Sequence, residues 1–299
     1  MYYIKIPFLD LDKTYSSKVC TGWYKIRDGK YCIVDGSSFV TVEQGYSEMF
    51  GFSCSEDEFY NYWYDYFNLN IDYVRQNYMI RHMGKSLKRA AIRGAGIRIP
   101  QQNFVQTLVR EVFKDNLNDY AAIVFEDMFR RSIGKKHRNT VRGSGPFTWY
   151  SLPLDTEDIV RHYSKIVDTF KRETPSKSKK GVIKSLKIIK AILSDLKWYN
   201  FRYTDTDEVI DILVGYGLSL SAAQYICIKC FNRQDLFVID DVTDKAVANI
   251  DDWEEYEDAR DFADWVLIDE RVEISAYLNE IIRWDMYNPP KPGDEMLWE

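Results

Sequence analysis

The chain has 299 residues, 45% of them hydrophobic and 29% charged, with a net charge of −6, a balance that excludes a disordered polymer and a length that allows two domains with unstapled cores. No apolar run approaches the ~18 residues of a membrane span, and MYYIKIPFLDLDK lacks the basic-then-apolar order of a secretory leader. Five irregularly spaced cysteines (Cys20, Cys32, Cys54, Cys227, Cys230) do not form a disulfide framework, so a reducing cytoplasm is the expected setting.

Residues 1–50 read as β structure. YYIKIPF, CTGWYKI, KYCIVDG and SFVTVEQ are short, rich in Val, Ile, Tyr and Phe, and parted by Arg27-Asp28-Gly29-Lys30 and Asp35-Gly36-Ser37-Ser38. From Ser55 the pattern changes: a Ser and acids precede Phe59, Trp63 and Phe67, four apart, which predicts a capped amphipathic helix. Tyr60, Tyr62, Tyr64 and Tyr66 alternate within it, so some must be core and others exposed. Gln102 to Phe129 has helical spacing broken by a polar stretch at 114–119. GKKHRNTVRGSGP (134–146) reads as a mobile basic loop. A Lys-rich break precedes the helix VIKSLKIIKAIL, and Asp205 with Glu208 predicts a cap before VIDIL. A glycine turn, the helix AAQYICIKCF and a strand-like LFVID follow, then an acidic helical region at 242–284 and a Pro-rich tail, NPPKPGDEMLWE.

Charge is unevenly distributed. Residues 75–202 carry 27 Lys/Arg against 11 Asp/Glu, and no acid occurs from Arg75 to Arg110. A segment this positive suits a polyanion, or else a solvated face paired with the acidic flanks. Lys177, Lys179, Lys180, Lys184, Lys187 and Lys190 admit the same two readings. Cys227 and Cys230 form a C-x-x-C, but on an amphipathic helix they read as core thiols; the isolated His82, His137 and His162 give no metal pattern. No metal and no cofactor are expected.

The stretch 205–247 runs helix, glycine turn, helix, then an extended run ending in a carboxylate. A turn of small residues at a helix N-terminus is a natural seat for a DNA phosphate. GYGLSLSAAQYICIKCFNRQDLFVIDD resembles the helix-hairpin-helix DNA glycosylase superfamily, whose pattern is roughly L-P-G-V-G-x-K-T-A, then F-x-R-x-D and F-P-V-D. The match puts the hairpin at Gly217-Leu218-Ser219 and passes through Phe231, Arg233, Asp235 and Phe237 to Asp240. DLDKTYSSKVCTGWYKI is similar to the opening D-L-x-x-T-L-x-S-G-Q-x-F-R-W of the 8-oxoguanine DNA glycosylase type. GIRIPQQNFVQTLVREVFKDNLND is similar to that type's G-I-R-I-L-x-Q-D-P-W-E-T-L-I-S-F-I-x-S-Q-N-N-N-I, with Asn116 and Asn118 on the first and third Asn.

The resemblance implies an α+β, mostly helical fold: an N-terminal antiparallel β domain with a trailing helix at 1–74, then a two-lobed helical glycosylase core at 75–299, with the hairpin near 205–230 and the catalytic segment at 236–247. It implies a monomeric, DNA-binding enzyme with no membrane attachment and no protein partner, working in the cytoplasm of a bacterial or phage-infected cell or at the nucleoid. Asp240 would be the catalytic carboxylate or an N-cap, roles that are compatible, with Asp241 as its neighbouring rival. Asn116, with Asn118, would fill the gap left by an everted base or simply form a turn. Gly217, Leu218, Ser219, Lys180 and Lys184 would contact DNA.

Three departures matter. Ser221 stands where bifunctional members carry the imine-forming Lys, so that position cannot form a Schiff base; it is otherwise an ordinary helix N-terminal residue. Lys18 and Val19 stand on the Gly and Gln of S-G-Q, beside the base pocket, which speaks against 8-oxoguanine. The expected activity is monofunctional: hydrolysis of the N-glycosidic bond of a flipped, modified base, including a hypermodified phage base, leaving an abasic site. Two alternatives stand: a phage-type transferase joining an amino acid or polyamine to pyrophosphorylated hydroxymethyl-thymine in DNA, and a non-catalytic DNA-binding module.

Overall fold

The structure, a computed structural model, describes residues 1–141, 145–152, 156–195, 198–248, 250 and 259–289. The expected N-terminal strands form: β1 (Tyr2–Lys5), β2 (Trp23–Arg27), β3 (Lys30–Asp35) and β4 (Ser38–Gln44), joined by β5 (Met49–Phe52). Among the described residues these make one antiparallel sheet in the order β1-β5-β4-β3-β2. Both expected turns place a glycine at positive φ, Gly29 at 66° and Gly36 at 57°, a conformation that glycine adopts without a Cβ penalty. A short helix, α1 (Leu11–Ser16), capped by Asp10, interrupts the β region.

The sheet is covered on both faces because β3 is apolar on both. Tyr31 and Ile33 join Val40, Val42, Phe50 and Phe52 against the aromatic stretch after Ser55. That stretch is helical, as its spacing predicts: α2 (Glu56–Glu58), a π-turn over Phe59–Trp63, then α3 (Tyr64–Tyr66), with Phe59, Trp63 and Phe67 fully buried. Of its tyrosines Tyr66 is buried and Tyr60 exposed. Cys32 and Val34, on the other face, pack against Trp149.

Trp149 belongs to a feature that the composition conceals. The described part of 134–146 is not a loop: β6 (Lys135–Val141) pairs antiparallel with β7 (Gly145–Ser151), and 142–144 lie outside the described residues. The polar residues of β6 mask the strand, but His137 stacks on Trp149 with ring centroids 5.6 Å apart, and Trp149 meets Phe39 of β4. A pattern of alternation carried by the partner strand is invisible within the basic segment itself.

The helices after the sheet are α4 (Tyr73–Ile80), α5 (Lys85–Arg93), α6 (Phe104–Asn116) and α7 (Asp119–Ile133), then, past the β6–β7 hairpin, α8 (Thr156–Arg161), α9 (Tyr163–Glu173), α10 (Lys179–Asp195), α11 (Thr206–Gly215), α12 (Leu220–Phe231), α13 (Asp241–Val247), α14 (Ala259–Val266) and α15 (Ser275–Tyr287). They build two lobes. In one, α6, α7 and α9 to α12 share a core in which Phe113 stacks on Phe170. In the other, α4 and α5 pack with α13, α14 and α15. Helix α15 is buried from Ser275 through Trp284, so the chain's acidic end returns to close the lobe begun by residues 73–97. LFVID forms no strand; Phe237 and Val238 are buried, and the Val238 carbonyl accepts from Asn279 of α15 at 2.7 Å. No helix among the described residues is long and apolar enough to cross a membrane, and the tail at 290–299 lies outside them.

Much of the acid-free run from Arg75 to Arg110 is structural. Arg98, 4% exposed, donates to the carbonyls of Pro7, Phe8, Phe67 and Asn68 and lies 4.7 Å over the Tyr73 ring. Arg93 pairs with Asp285, and Arg110 with Glu126. Lys85 and Lys88 remain exposed.

Asp35, at the end of β3, fixes the start of α6. Its Oδ1 accepts from the Asn103 N–H at 2.7 Å and its Oδ2 from Tyr62 at 2.6 Å. Burial nevertheless raises its carboxyl to about 6, against the lowering effect of those hydrogen bonds and of Arg130. A raised carboxyl favours the protonated folded state, so the contribution is present below the unfolded value near 4 and is lost as pH rises through 6. The wild type minus Asp35→Asn stability difference, from urea unfolding, is expected to fall by up to about 3 kcal/mol between pH 4 and pH 7.

Candidate active site

The site is built where four helices converge. Helix α12 begins after the hairpin Tyr216-Gly217-Leu218-Ser219; Gly217 has φ +100°, and Ser219 caps the helix, its hydroxyl accepting from the Ala222 N–H at 3.2 Å. Ser221, Tyr225 and Lys229 follow at intervals of four, which places them on one face. Helix α6 presents Glu111 and Lys114, and α15 presents Glu280 and Arg283, each pair three apart. Asp240 is the N-cap of α13, accepting from the Val242 and Thr243 N–H groups, both at 3.0 Å.

Asp240 is therefore held from several sides. Its Oδ1 is hydrogen-bonded and ion-paired to Arg283, while Oδ2 lies 3.4 Å from the Tyr225 hydroxyl and 3.9 Å from Lys114 Nζ. Burial pushes this carboxyl up, but the Arg283 charge, the Thr243 N–H and the Lys114 charge together bring it below its ordinary value. The group is ionised and oriented at neutral pH. Because the carboxyl is depressed, its contribution to stability is present above the ordinary Asp value and fades as pH falls below about 4.

Tyr225 is the floor of this cluster. Its ring carries Lys114 Nζ at 4.8 Å, Lys229 Nζ at 5.0 Å and the Arg283 guanidinium at 5.1 Å. Desolvation raises its phenol well above the usual range, opposed by Arg283. Beneath it, Lys229 donates to Glu111 at 2.8 Å in a pair almost sealed from solvent. Burial also raises the Glu280 carboxyl, against the lowering effects of Arg283 and Lys229.

Three spaces with lining residues in common border the cluster. A cavity of about 540 Å³ is lined by Lys114, Leu117, Asn118, Ser221, Tyr225 and Asp240, among others. A narrow space of about 40 Å³ lies behind Tyr225, among Lys18, Val19, Arg110, Glu280, Arg283 and Tyr287. It shares Lys18, Arg110 and Ile123 with a chamber of about 900 Å³ that extends past Trp23, Lys25, Glu126, Arg130 and Tyr150.

Asp240 and Ser221 thus line one cavity, and Lys18 and Val19 lie behind it. Lys18 adopts φ +64°, the left-handed conformation suited to the glycine of the similar motif, and its ammonium sits 4.1 Å over the Tyr287 ring. Asn116 is turned back on its own helix, donating to the Val112 carbonyl at 2.9 Å, and Asn118 caps α7. Leu117, between them, reaches the cavity. Lys180 and Lys184 are exposed on α10, whose Gly181 abuts Leu117 and Asn116. The hairpin is not an open cradle: the Gly217 and Leu218 N–H groups donate back to the Val214 and Leu213 carbonyls of α11, and the Ser219 N–H donates to Asp115 at 2.9 Å. A phosphate approaching Ser219 has to displace that carboxylate.

Lys114, Tyr225, Lys229, Glu280 and Arg283 escaped the sequence reading. Their signal was the interruption of apolar helix faces by charge, which a solvated stripe produces equally well.

Residues 3–108 match the family model described as the 8-oxoguanine DNA glycosylase N-terminal domain. No curated protein matches the sequence closely. Among solved structures, MBOgg1 with a low-affinity DNA ligand is 20% identical, with a TM-score of 0.80, covering 97% of this chain and 96% of that one. The Clostridium acetobutylicum 8-oxoguanine glycosylase/lyase in its apo form is 16% identical, with a TM-score of 0.76 and coverage of 94% and 95%. The 3-methyladenine DNA glycosylase of Archaeoglobus fulgidus is 10% identical, with a TM-score of 0.71 and coverage of 97% and 99%. The chain is therefore similar over residues 3–108 to the N-terminal domain of 8-oxoguanine DNA glycosylases and shares, over nearly its whole length, the fold of these DNA glycosylase structures.

Proposed function

We propose that this protein is a DNA glycosylase that severs the N-glycosidic bond of an everted, modified nucleotide. The carrying observation is the ionised, doubly capped Asp240 in a cavity bordered by the hairpin and by the α6–α7 turn. As the bond lengthens, positive charge develops on the sugar; a fixed carboxylate stabilises that charge without reorganising. Extrusion costs a few kcal/mol. Leu117 and Asn118, at the cavity's edge, fill the vacated stack, and Lys180 and Lys184 lie on the flank that meets phosphates.

The base is not plain 8-oxoguanine. The space behind Tyr225 is lined by Lys18, Arg110, Glu280 and Arg283 and shares Lys18 and Arg110 with the chamber of about 900 Å³, a volume that suits a base bearing a long polar substituent. Ser221 leaves the hairpin without an imine-forming amine, so excision at that position ends in an intact strand with an abasic site. The same chamber also has room for an amine acceptor, which is the observation that keeps the transferase reading in play.

Incubation with lesion-bearing oligonucleotides and with modified phage genomes, followed by abasic-site detection and nucleoside mass spectrometry, tests the reading. Release of a substituted base is expected. A heavier nucleoside would assign transfer instead, and neither product from any substrate would leave a DNA-binding module.

A further inference from the structure

We propose that the chamber of about 900 Å³ is an oxyanion site, which takes the acidic end, a carboxylate or a phosphate, of the substituent on the everted base. This rests on the reading that a substituted base enters beside Asp240. The carrying observation is a buried excess of positive charge on the chamber wall, where two guanidiniums share one carboxylate. Arg110 Nε lies 3.3 Å from Glu126 Oε2, and Arg130 Nη2 lies 3.1 Å from Glu126 Oε1. The Arg130 and Glu126 side chains are 5% and 3% exposed, so salt and water screen this trio weakly.

A guanidinium only donates hydrogen bonds, and it donates from every nitrogen. Among the described residues no group accepts from Arg130 Nε, Arg130 Nη1 or Arg110 Nη1. Buried donors are as a rule paired, and the parallel N–H groups of a guanidinium match the oxygens of a carboxylate or a phosphate. Arg130 Nη1 stands at the wall: a Cβ on Gly22, which also lines the chamber, would fall 3.0 Å from it.

The other lining charges do not cancel the excess. Asp127 is ion-paired with Arg131 and Glu173 with Arg172, while Lys25 is shared by Asp12 and Asp28. Lys18 and Arg110 line both the chamber and the space behind Tyr225, so a substituent reaching past Tyr225 meets cations at the common wall. On the hairpin, Lys136 lies opposite Tyr150 and Arg138 opposite Thr148. Opposed residues share a face, so these two exposed cations stand beside the hairpin residues that line the chamber. A substituent ending in an ammonium group meets the same charges and is repelled.

The test compares two duplexes that differ at one deoxyuridine, whose base carries either a carboxypentyl chain or the same chain ending in a carboxamide. The full chain is expected to bind the carboxylate form at least about tenfold more tightly, by anisotropy. Arg130→Met leaves Glu126 paired with Arg110, and Arg110→Met leaves it paired with Arg130, so neither variant strands a buried charge. Each should bring the two affinities within about twofold of one another, with binding of the carboxamide duplex retained as the check on folding. Lys88→Met removes an equal charge from an exposed site in the other lobe and should keep the preference. Equal affinity of the wild type for both duplexes overturns the inference alone, as does a preference undiminished in both arginine variants. Glutarate that binds the wild type by calorimetry, with no preference between the duplexes, would assign the chamber to a free anion and overturn its assignment to a substituent. Base release from the same duplexes reads the glycosylase proposal separately: a preference with release of neither base tells against excision and leaves the oxyanion site standing.

Discussion

Asp240→Asn is expected to slow base release by about 10²–10³-fold while leaving duplex affinity within a few-fold. Asparagine keeps an oxygen for the Val242 and Thr243 N–H groups, so the N-cap of α13 survives. What disappears is the negative charge, which stabilises the sugar cation and pairs with Arg283, a guanidinium only 8% exposed. Asp240→Ala removes the cap too and should cost roughly 1 kcal/mol more in stability than Asp240→Asn. Single-turnover base release, anisotropy and urea unfolding separate the effects. A rate close to that of the wild type in Asp240→Asn would remove this carboxylate from the chemistry.

Lys229→Met is expected to destabilise the protein by about 3–5 kcal/mol, because it strands the Glu111 carboxylate in a buried site. Glu111 is 1% exposed; burial pushes its carboxyl up, and Lys229 with Lys114 returns it below the ordinary value. Glu111→Leu, which strands the ammonium instead, should cost a comparable amount. The double variant Lys229→Met with Glu111→Leu should regain most of the loss, since two apolar side chains remove both desolvation penalties. Urea unfolding of the four proteins forms a double-mutant cycle, for which a coupling of at least about 2 kcal/mol is expected. Near-additive losses would mean that solvent screens the pair. The pair joins α6 to α12 and thereby sets the separation of Lys114 from Ser221 and Tyr225.

Local chemistry was legible wherever a short segment carries its own instructions. Gly29 and Gly36 announced the turns between β2, β3 and β4. Phe59, Trp63 and Phe67 announced a buried helical face, and Asn118 and Ser219 capped the helices that the sequence led one to expect. Asp240 was legible as a catalytic candidate because an ordered series of motifs led to it. The β6–β7 hairpin was not legible, since Trp149 supplies its reason for folding from the partner strand. LFVID looked like a strand by composition, yet its Val238 carbonyl bonds a side chain of α15 instead of a ladder.

Outside β6, β7 and LFVID, the amino-acid sequence by itself determined the local elements, the turns at Gly29 and Gly36, and the carboxylate that opens α13. Only the tertiary structure decided what surrounds that carboxylate. Lys114, Tyr225 and Arg283 lie far apart along the chain and meet at Asp240 because two helical lobes close on each other. Helical periodicity tells which side chains share a face; the packing of one face against another, a property of the whole core, is what places an amine beside an acid.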